Sequence, residues 1–154
     1  FRVSFLGEQN FFLDVQFPGD TLQPGTFAAL EPVAGQVVFL DLSNSFLVDS
    51  TMSGIENFDH LSRLDVRGTN FGDPAAVQLS GLPFLETLNA FRTRLTTAGL
   101  EQALANRTLK KVYLWQTRVT RAELTSLRAR YPERQFIGGS TLQVHADTTR
   151  AGEE

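Results

Sequence analysis

Four consecutive windows of 24 residues align without a gap: VVFLDLSNSFLVDSTMSGIENFDH from Val37, LSRLDVRGTNFGDPAAVQLSGLPF from Leu61, LETLNAFRTRLTTAGLEQALANRT from Leu85 and LKKVYLWQTRVTRAELTSLRARYP from Leu109. Position 1 reads Val37, Leu61, Leu85, Leu109, and position 4 reads Leu40, Leu64, Leu88, Val112. Position 6 reads Leu42, Val66, Ala90, Leu114; position 11 reads Leu47, Phe71, Leu95, Val119; position 16 reads Met52, Ala76, Leu100, Leu124. A unit this short cannot bury its own apolar face. It becomes stable only by stacking on its neighbours, so the period dictates an array.

Each window changes its own period. Positions 4 to 6 alternate, as a short strand does, whereas positions 16, 19 and 22 recur at helical spacing, as in Met52, Ile55, Phe58 and Ala76, Leu79, Leu82. In the third window Leu104 is expected to take the place of Ala103. A looser copy precedes the four, with Leu13 and Val15 set against Leu40 and Leu42, about two extra residues near Gly19–Asp20, and Phe27, Leu30 and Val33 against Met52, Ile55 and Phe58. RVSFL is expected to form an N-terminal edge strand, and QFIGG from Gln135 to close the other end.

The pattern LxxLxLxxT, followed by an apolar–Thr or apolar–x–Asp turn and a helix, resembles the leucine-rich repeat family; LETLNAFRTRLTTAGL and LKKVYLWQTRVT carry it most fully. The resemblance covers roughly residues 11–139 and is of a bacterial kind in which Thr replaces the usual Asn at position 9. NFFLDVQF, VVFLDLSNS and VYLWQTRVT are similar to the repeat region that follows a membrane segment and a cytochrome-c-like domain in some bacterial proteins. The PGD insertion in the first unit departs from the pattern. The fold implied is α/β: a solenoid of about five units plus caps, with a curved parallel sheet on the concave side and helices on the convex side. Residues 1–140 would form the domain and residues 141–154 an extended or disordered tail. The resemblance also implies a periplasmic or otherwise extracytoplasmic location and an accessory binding role.

Side chains alternate across a strand, so positions 3, 5 and 7 are expected to face the open side of the sheet. These are Phe39, Asp41 and Ser43; Arg63, Asp65 and Arg67; Thr87, Asn89 and Phe91; and Lys111, Tyr113 and Trp115, with Phe12, Asp14 and Gln16 as additions from the first unit. Of these, Phe39, Asp41, Arg63, Asp65, Arg67, Asn89, Phe91, Lys111, Tyr113 and Trp115 are the candidate partner-binding residues, with Phe91 and Trp115 close enough to touch. Trp, Tyr and Arg dominate interface hot spots. The alternative for the aromatics is shielding by TLQVHADTTR folding back over the last strand. Ser45, Thr69, Thr93 and Thr117 at position 9 are expected to bond turn backbone. Asp49, Asp73, Thr97 and Thr120 read as helix caps or turn formers.

The remaining composition excludes more than it identifies. The absence of cysteine removes disulfides, thiolate metal sites, cysteine nucleophiles and covalent haem attachment. No P-loop, GxGxxG or nucleophile elbow is present. His60 and His145 stand apart and read as ordinary surface or loop histidines; Asp41 and Asp65 offer a carboxylate pair, with Arg63 and Arg67 at hand to neutralise it. NRT at Asn106 is a formal glycosylation sequon and reads as coincidence. No enzyme activity, cofactor or metal is expected. No apolar run reaches the roughly 20 residues that span a bilayer, so this segment is not expected to insert in a membrane. The chain opens FRVSFLGEQN without methionine and reads as a piece of a longer protein.

Charge is segregated. Residues 3–62 hold no Lys or Arg and eight acids, whereas Arg92 to Arg134 hold ten basic residues and three acids, within a net charge of -3. The acidic half argues against a continuous nucleic-acid track, and no nucleic-acid partner is expected. The function expected is that of a non-catalytic module, a monomer, binding a protein partner on its concave face. The alternative is a structural spacer or docking module for other domains of the same longer chain, with a cytochrome-c-like domain among the candidates.

Overall fold

The computed structural model describes residues 2–7, 11–17, 19, 21–48 and 52–138. Its main layer is an open seven-stranded sheet. In spatial order the strands are β1 (Arg2–Phe5), β2 (Leu13–Gln16), β4 (Val37–Asp41), β6 (Arg63–Asp65), β7 (Thr87–Asn89), β8 (Lys111–Tyr113) and β9 (Gln135–Ile137). β1 runs antiparallel to β2, and every other neighbouring pair is parallel. A second, two-stranded parallel ladder joins β3 (Thr21–Leu22) to β5 (Phe46–Leu47). The fold is therefore mixed α/β with a mostly parallel sheet.

The sequence period is the strand register. Leu40 stands opposite Leu64, Leu64 opposite Leu88, Leu88 opposite Val112, and Val112 opposite Phe136. All five are buried, together with Leu42, Val66, Ala90 and Leu114 of position 6. The ladder continues beyond the strands: the amides of Asn44, Gly68 and Arg92 each donate 2.8 Å to the carbonyls of Arg67, Phe91 and Trp115. At that point each unit turns through a left-handed residue, Asn44, Gly68, Arg92 or Gln116, with φ between 53° and 69°. RVSF and QFI close the sheet at its two ends, as expected.

The first unit differs from its expected alignment. Leu13 pairs with Val37 and Val15 with Leu40, because the register shifts between Leu13 and Asp14. The bulge absorbs part of the length difference, and both Leu13 and Val15 still reach the core. The connecting segments also depart from uniform helices. The first two units use 3-10 turns, Thr26–Gln36 and Ile55–Asn57. Pro32 lies inside the former and removes a backbone donor, and Gly25 and Gly54 precede the two turns in left-handed conformations. The later units carry α1 (Asp73–Ala76), continued as a 3-10 turn to Gly81, then α2 (Thr97–Ala103) and α3 (Arg121–Arg130). In the third unit Ala103 keeps its core place and Leu104 is buried beside it, rather than replacing it.

Thr69, Thr93 and Thr117 are buried, and their hydroxyls donate to the carbonyls of Val66, Ala90 and Leu114 at 2.6 to 2.9 Å. This is the structural role expected of position 9, but Ser45 departs from it: its buried hydroxyl has no hydrogen-bond partner among the described residues. The capping expectations fare unevenly. Thr120 caps α3 in a reciprocal box with Glu123. Thr97 is the first residue of α2 rather than its cap, which is Thr96. Asp73 opens α1, but its carboxylate reaches across to the next unit and accepts from Thr96 N–H at 2.9 Å and Thr96 Oγ1 at 2.6 Å. Asp49, His145 and the tail from 141 lie outside the described residues.

The Thr120 box supplies a small pH-dependent term. The Thr120 hydroxyl and amide both donate to Glu123 and hold its carboxyl below the usual range. A lowered folded pKa means that the unfolded chain binds the extra proton. The stabilisation is thus complete above the ordinary carboxyl value near ~4.3 and fades as pH falls through the lowered folded value. Thr120→Ala is expected to cost about 1 kcal/mol at neutral pH. The gap between parent and variant should narrow in urea melts run in acid.

Candidate functional site

Positions 3 and 5 form rows across the helix-free face of the sheet. Phe39, Arg63, Thr87, Lys111 and Gln135 are register partners along one row, and Asp41, Asp65, Asn89, Tyr113 and Ile137 along the next. The first unit adds Asp14 opposite Phe39 and Gln16 opposite Asp41. Seven of the ten candidate residues, Phe39, Asp41, Arg63, Asp65, Asn89, Lys111 and Tyr113, stand in these rows, and Arg67, Phe91 and Trp115 lie past the strand ends; they divide into two zones.

The first zone is a shallow depression of about 200 Å³. Phe39, Asp41, Arg63, Asp65 and Arg67 line it, with Asp14 and Gln16 at its edge. Arg63 and Arg67 are exposed. Asp65 corrects the expectation of an open carboxylate, because it is only 9% exposed. Its Oδ1 accepts the Arg67 amide at 3.0 Å, and its Oδ2 accepts from Asn89 Nδ2 at 3.0 Å, with Arg67 Nε at 3.6 Å. Asp41 Oδ1 likewise accepts the Ser43 amide at 2.8 Å, and Asn89 Oδ1 the Phe91 amide at 3.2 Å.

In the first three windows position 5 thus forms Asx turns that satisfy an amide just past the strand end. Like charges directly opposite each other destabilise a sheet, and these donors offset that cost for Asp41 beside Asp65. Both carboxylates thus accept backbone amides two residues on. Among the described residues no group of three or more His, Asp or Glu side chains could hold a metal ion.

The second zone is aromatic. Phe91 and Tyr113 are half-buried, and Lys111 Nζ sits 5.3 Å from the centre of the Tyr113 ring. Trp115 is 53% exposed at the rim, past the end of β8. The expected touch between Phe91 and Trp115 is not a ring pair among the described residues. Trp115 belongs to the turn beyond the strand, where side chains no longer follow the sheet spacing. Gly138 lies beneath it, so close that a Cβ there would stand 2.6 Å from the Trp115 nitrogen.

Sequence reasoning passed over a third feature. Phe12, His60 and Phe84 form a surface aromatic row, with ring centres 5.9 and 5.6 Å apart, the latter pair stacked. His60 Nδ1 also lies 2.7 Å from the Gly35 carbonyl. His60 and Phe84 both occupy the last position of their windows, and a column drawn there exposes the row. Phe84, Phe5 and Phe11 leave more than half of their surface in solvent, and Phe5 and Phe11 belong to the N-terminal hairpin and its connection. Asn106 is buried at 4%, with its amide bound to Leu79 and Leu82 carbonyls, which closes it to glycan attachment in the folded chain.

Among the described residues no helix is long and apolar enough to cross a membrane. No protein-family model matches the chain, and no curated protein matches it at a significant level.

Proposed function

We propose that the chain is a leucine-rich repeat solenoid acting as a non-catalytic interaction module. Its helix-free face, concave in such an array, takes a protein partner. One observation supports the reading: exposed Arg63 on β6 and exposed Arg67 just past its end line the depression, and the open indole of Trp115 stands past the end of β8, two strands away. These residue types offer large contact area at modest ordering cost. Arg67 pairs with Asp65, whereas Arg63 has no ion pair among the described residues and is open to an acidic or carbonyl-rich partner. The extracytoplasmic location implied by the resemblance belongs to the same proposal.

A second reading, docking against other domains of a longer chain, is favoured by the N-terminal hairpin. Phe5 is 70% exposed there and Phe11 78%. Large apolar side chains left this open are candidates for a contact site.

The test is affinity capture from separate periplasmic and cytoplasmic fractions of the source cells, with the parent domain and an Arg63→Ala/Trp115→Ala variant as baits. Both residues are exposed, so the variant is expected to melt within about 3 °C of the parent. A protein from the periplasmic fraction held by the parent and lost by the variant is the expected result. Equal capture by both baits would remove the face from consideration. Capture of the chain's own larger form by both baits would favour the docking reading.

A further inference from the structure

Position 10 of the unit, in the turn after each strand, reads Phe46, Asn70, Arg94 and Arg118. The last three line a groove of about 820 Å³ between β5, the start of α1 and the turns of the next two units. None of its lining residues belongs to the helix-free face described above. The floor is apolar, built by Leu47, Met52, Phe71 and Pro74.

The polar neighbours of the two arginines are engaged elsewhere. Asn70 holds Leu47 at both ends, accepting its amide and donating to its carbonyl at 2.7 Å each. The Asp73 carboxylate accepts both the amide and the hydroxyl of Thr96. The Arg94 and Arg118 guanidinium groups have no ion pair and no hydrogen-bond partner among the described residues. Equivalent residues of adjacent strands rise about 4.8 Å apart, and the turn amides of Arg94 and Arg118 bond Phe71 and Leu95 in the same way, at 2.9 and 3.0 Å. Two like charges thus stand in adjacent turns with no counter-charge bonded to either among the described residues, an arrangement that costs free energy. Among the described lining residues the two arginines stand with one carboxylate, that of Asp73.

We propose that this groove binds a phosphomonoester carried on an apolar or aromatic body. A guanidinium fork matches two oxygens of a phosphate, and the tetrahedral group has oxygens enough for two forks at once. A carboxylate has only two oxygens and would leave one arginine poorly served. The apolar floor beside the arginines favours a ligand with an organic body over the bare ion.

Isothermal titration with phenyl phosphate tests this, with benzoate and inorganic phosphate as comparison probes. Phenyl phosphate is expected to bind about tenfold more tightly than either. Arg94→Gln/Arg118→Gln should lose at least about tenfold of that affinity, while Arg107→Gln, an exposed arginine outside the groove, should keep it. Raised salt should weaken the binding. Both groove arginines are exposed, so the variant is expected to fold, and a thermal melt of the same sample checks it. A neutral pentapeptide carrying phosphotyrosine separates the sources. Tighter binding than phenyl phosphate points to a peptide-borne phosphate, and equal binding points to a small molecule. Absence of phenyl phosphate binding, equal binding of benzoate, or unchanged binding by a folded double variant would each overturn the proposal.

Discussion

Asn106→Leu is expected to destabilise the fold by about 4 kcal/mol, although it restores the residue type that the repeat calls for. Position 22 of the preceding windows is Phe58 and Leu82, both buried and apolar. In the third window Asn106 occupies the same place and is also buried. Its Nδ2 donates to the Leu79 carbonyl at 2.9 Å and to the Leu82 carbonyl at 2.7 Å. Its Oδ1 accepts from the Thr108 amide at 2.9 Å and from the Thr108 hydroxyl at 2.6 Å. Leucine returns apolar contact worth roughly 2 kcal/mol. Against that, the Leu82 carbonyl and the Thr108 amide lose their partners at about 1–3 kcal/mol each, and the Leu79 carbonyl keeps only the Leu82 amide, at 3.3 Å.

The polar loss outweighs the apolar gain, and Asn106→Ala, which lacks the gain, should be worse. For a domain of this size each kcal/mol moves Tm by roughly 3 °C, so a fall of about 12 °C is the expected reading for Asn106→Leu. A leucine variant as stable as the parent would show that water or local rearrangement serves those groups equally well.

Asn106 also marks the limit of what the repeat made legible. A 24-residue period shows which columns are inside, and the pairing of Leu40, Leu64, Leu88, Val112 and Phe136 follows directly from it. Alternation likewise placed Phe39, Asp41, Arg63, Asp65, Asn89, Lys111 and Tyr113 in shared rows, but it could not place Arg67, Phe91 and Trp115, which lie past the strand ends. Neither pattern says what a short polar side chain does with nearby backbone. Asp41, Asp65 and Asn89 were legible as facing the open side, but their bonds to the amides two residues on depend on turn geometry that only the left-handed column reveals. The first unit was misaligned because a one-residue bulge and an insertion offset each other in sequence. Arg94 and Arg118 were visible only as part of a basic stretch. Their shared column becomes meaningful once the side chains that might neutralise them are seen bonded elsewhere.

Gly99→Ala is expected to cost about 3 kcal/mol, where helix propensity alone predicts a gain. Gly99 lies in the first turn of α2 and is buried. Replacing a helical glycine by alanine ordinarily stabilises by up to about 1 kcal/mol. Here an added Cβ would stand 2.7 Å from the Asp73 Cα, 2.6 Å from its Cγ and still closer to its Oδ1. Backbone atoms at that distance cannot yield by a change of rotamer, so α1 and α2 must move apart. Overpacking of this kind costs about 1–3 kcal/mol or more. Separation also strains the two bonds by which Asp73 holds Thr96, each worth about 1–2 kcal/mol.

A double-mutant cycle with Asp73→Ala checks the mechanism. Two of the three clashing atoms belong to the Asp73 side chain, so the double variant should be at least about 1 kcal/mol more stable than the sum of the single losses predicts. Strict additivity would mean that the approach of the new methyl to the Asp73 backbone sets the whole cost. A Gly99→Ala variant more stable than the parent would mean that the helices are not held in this close approach.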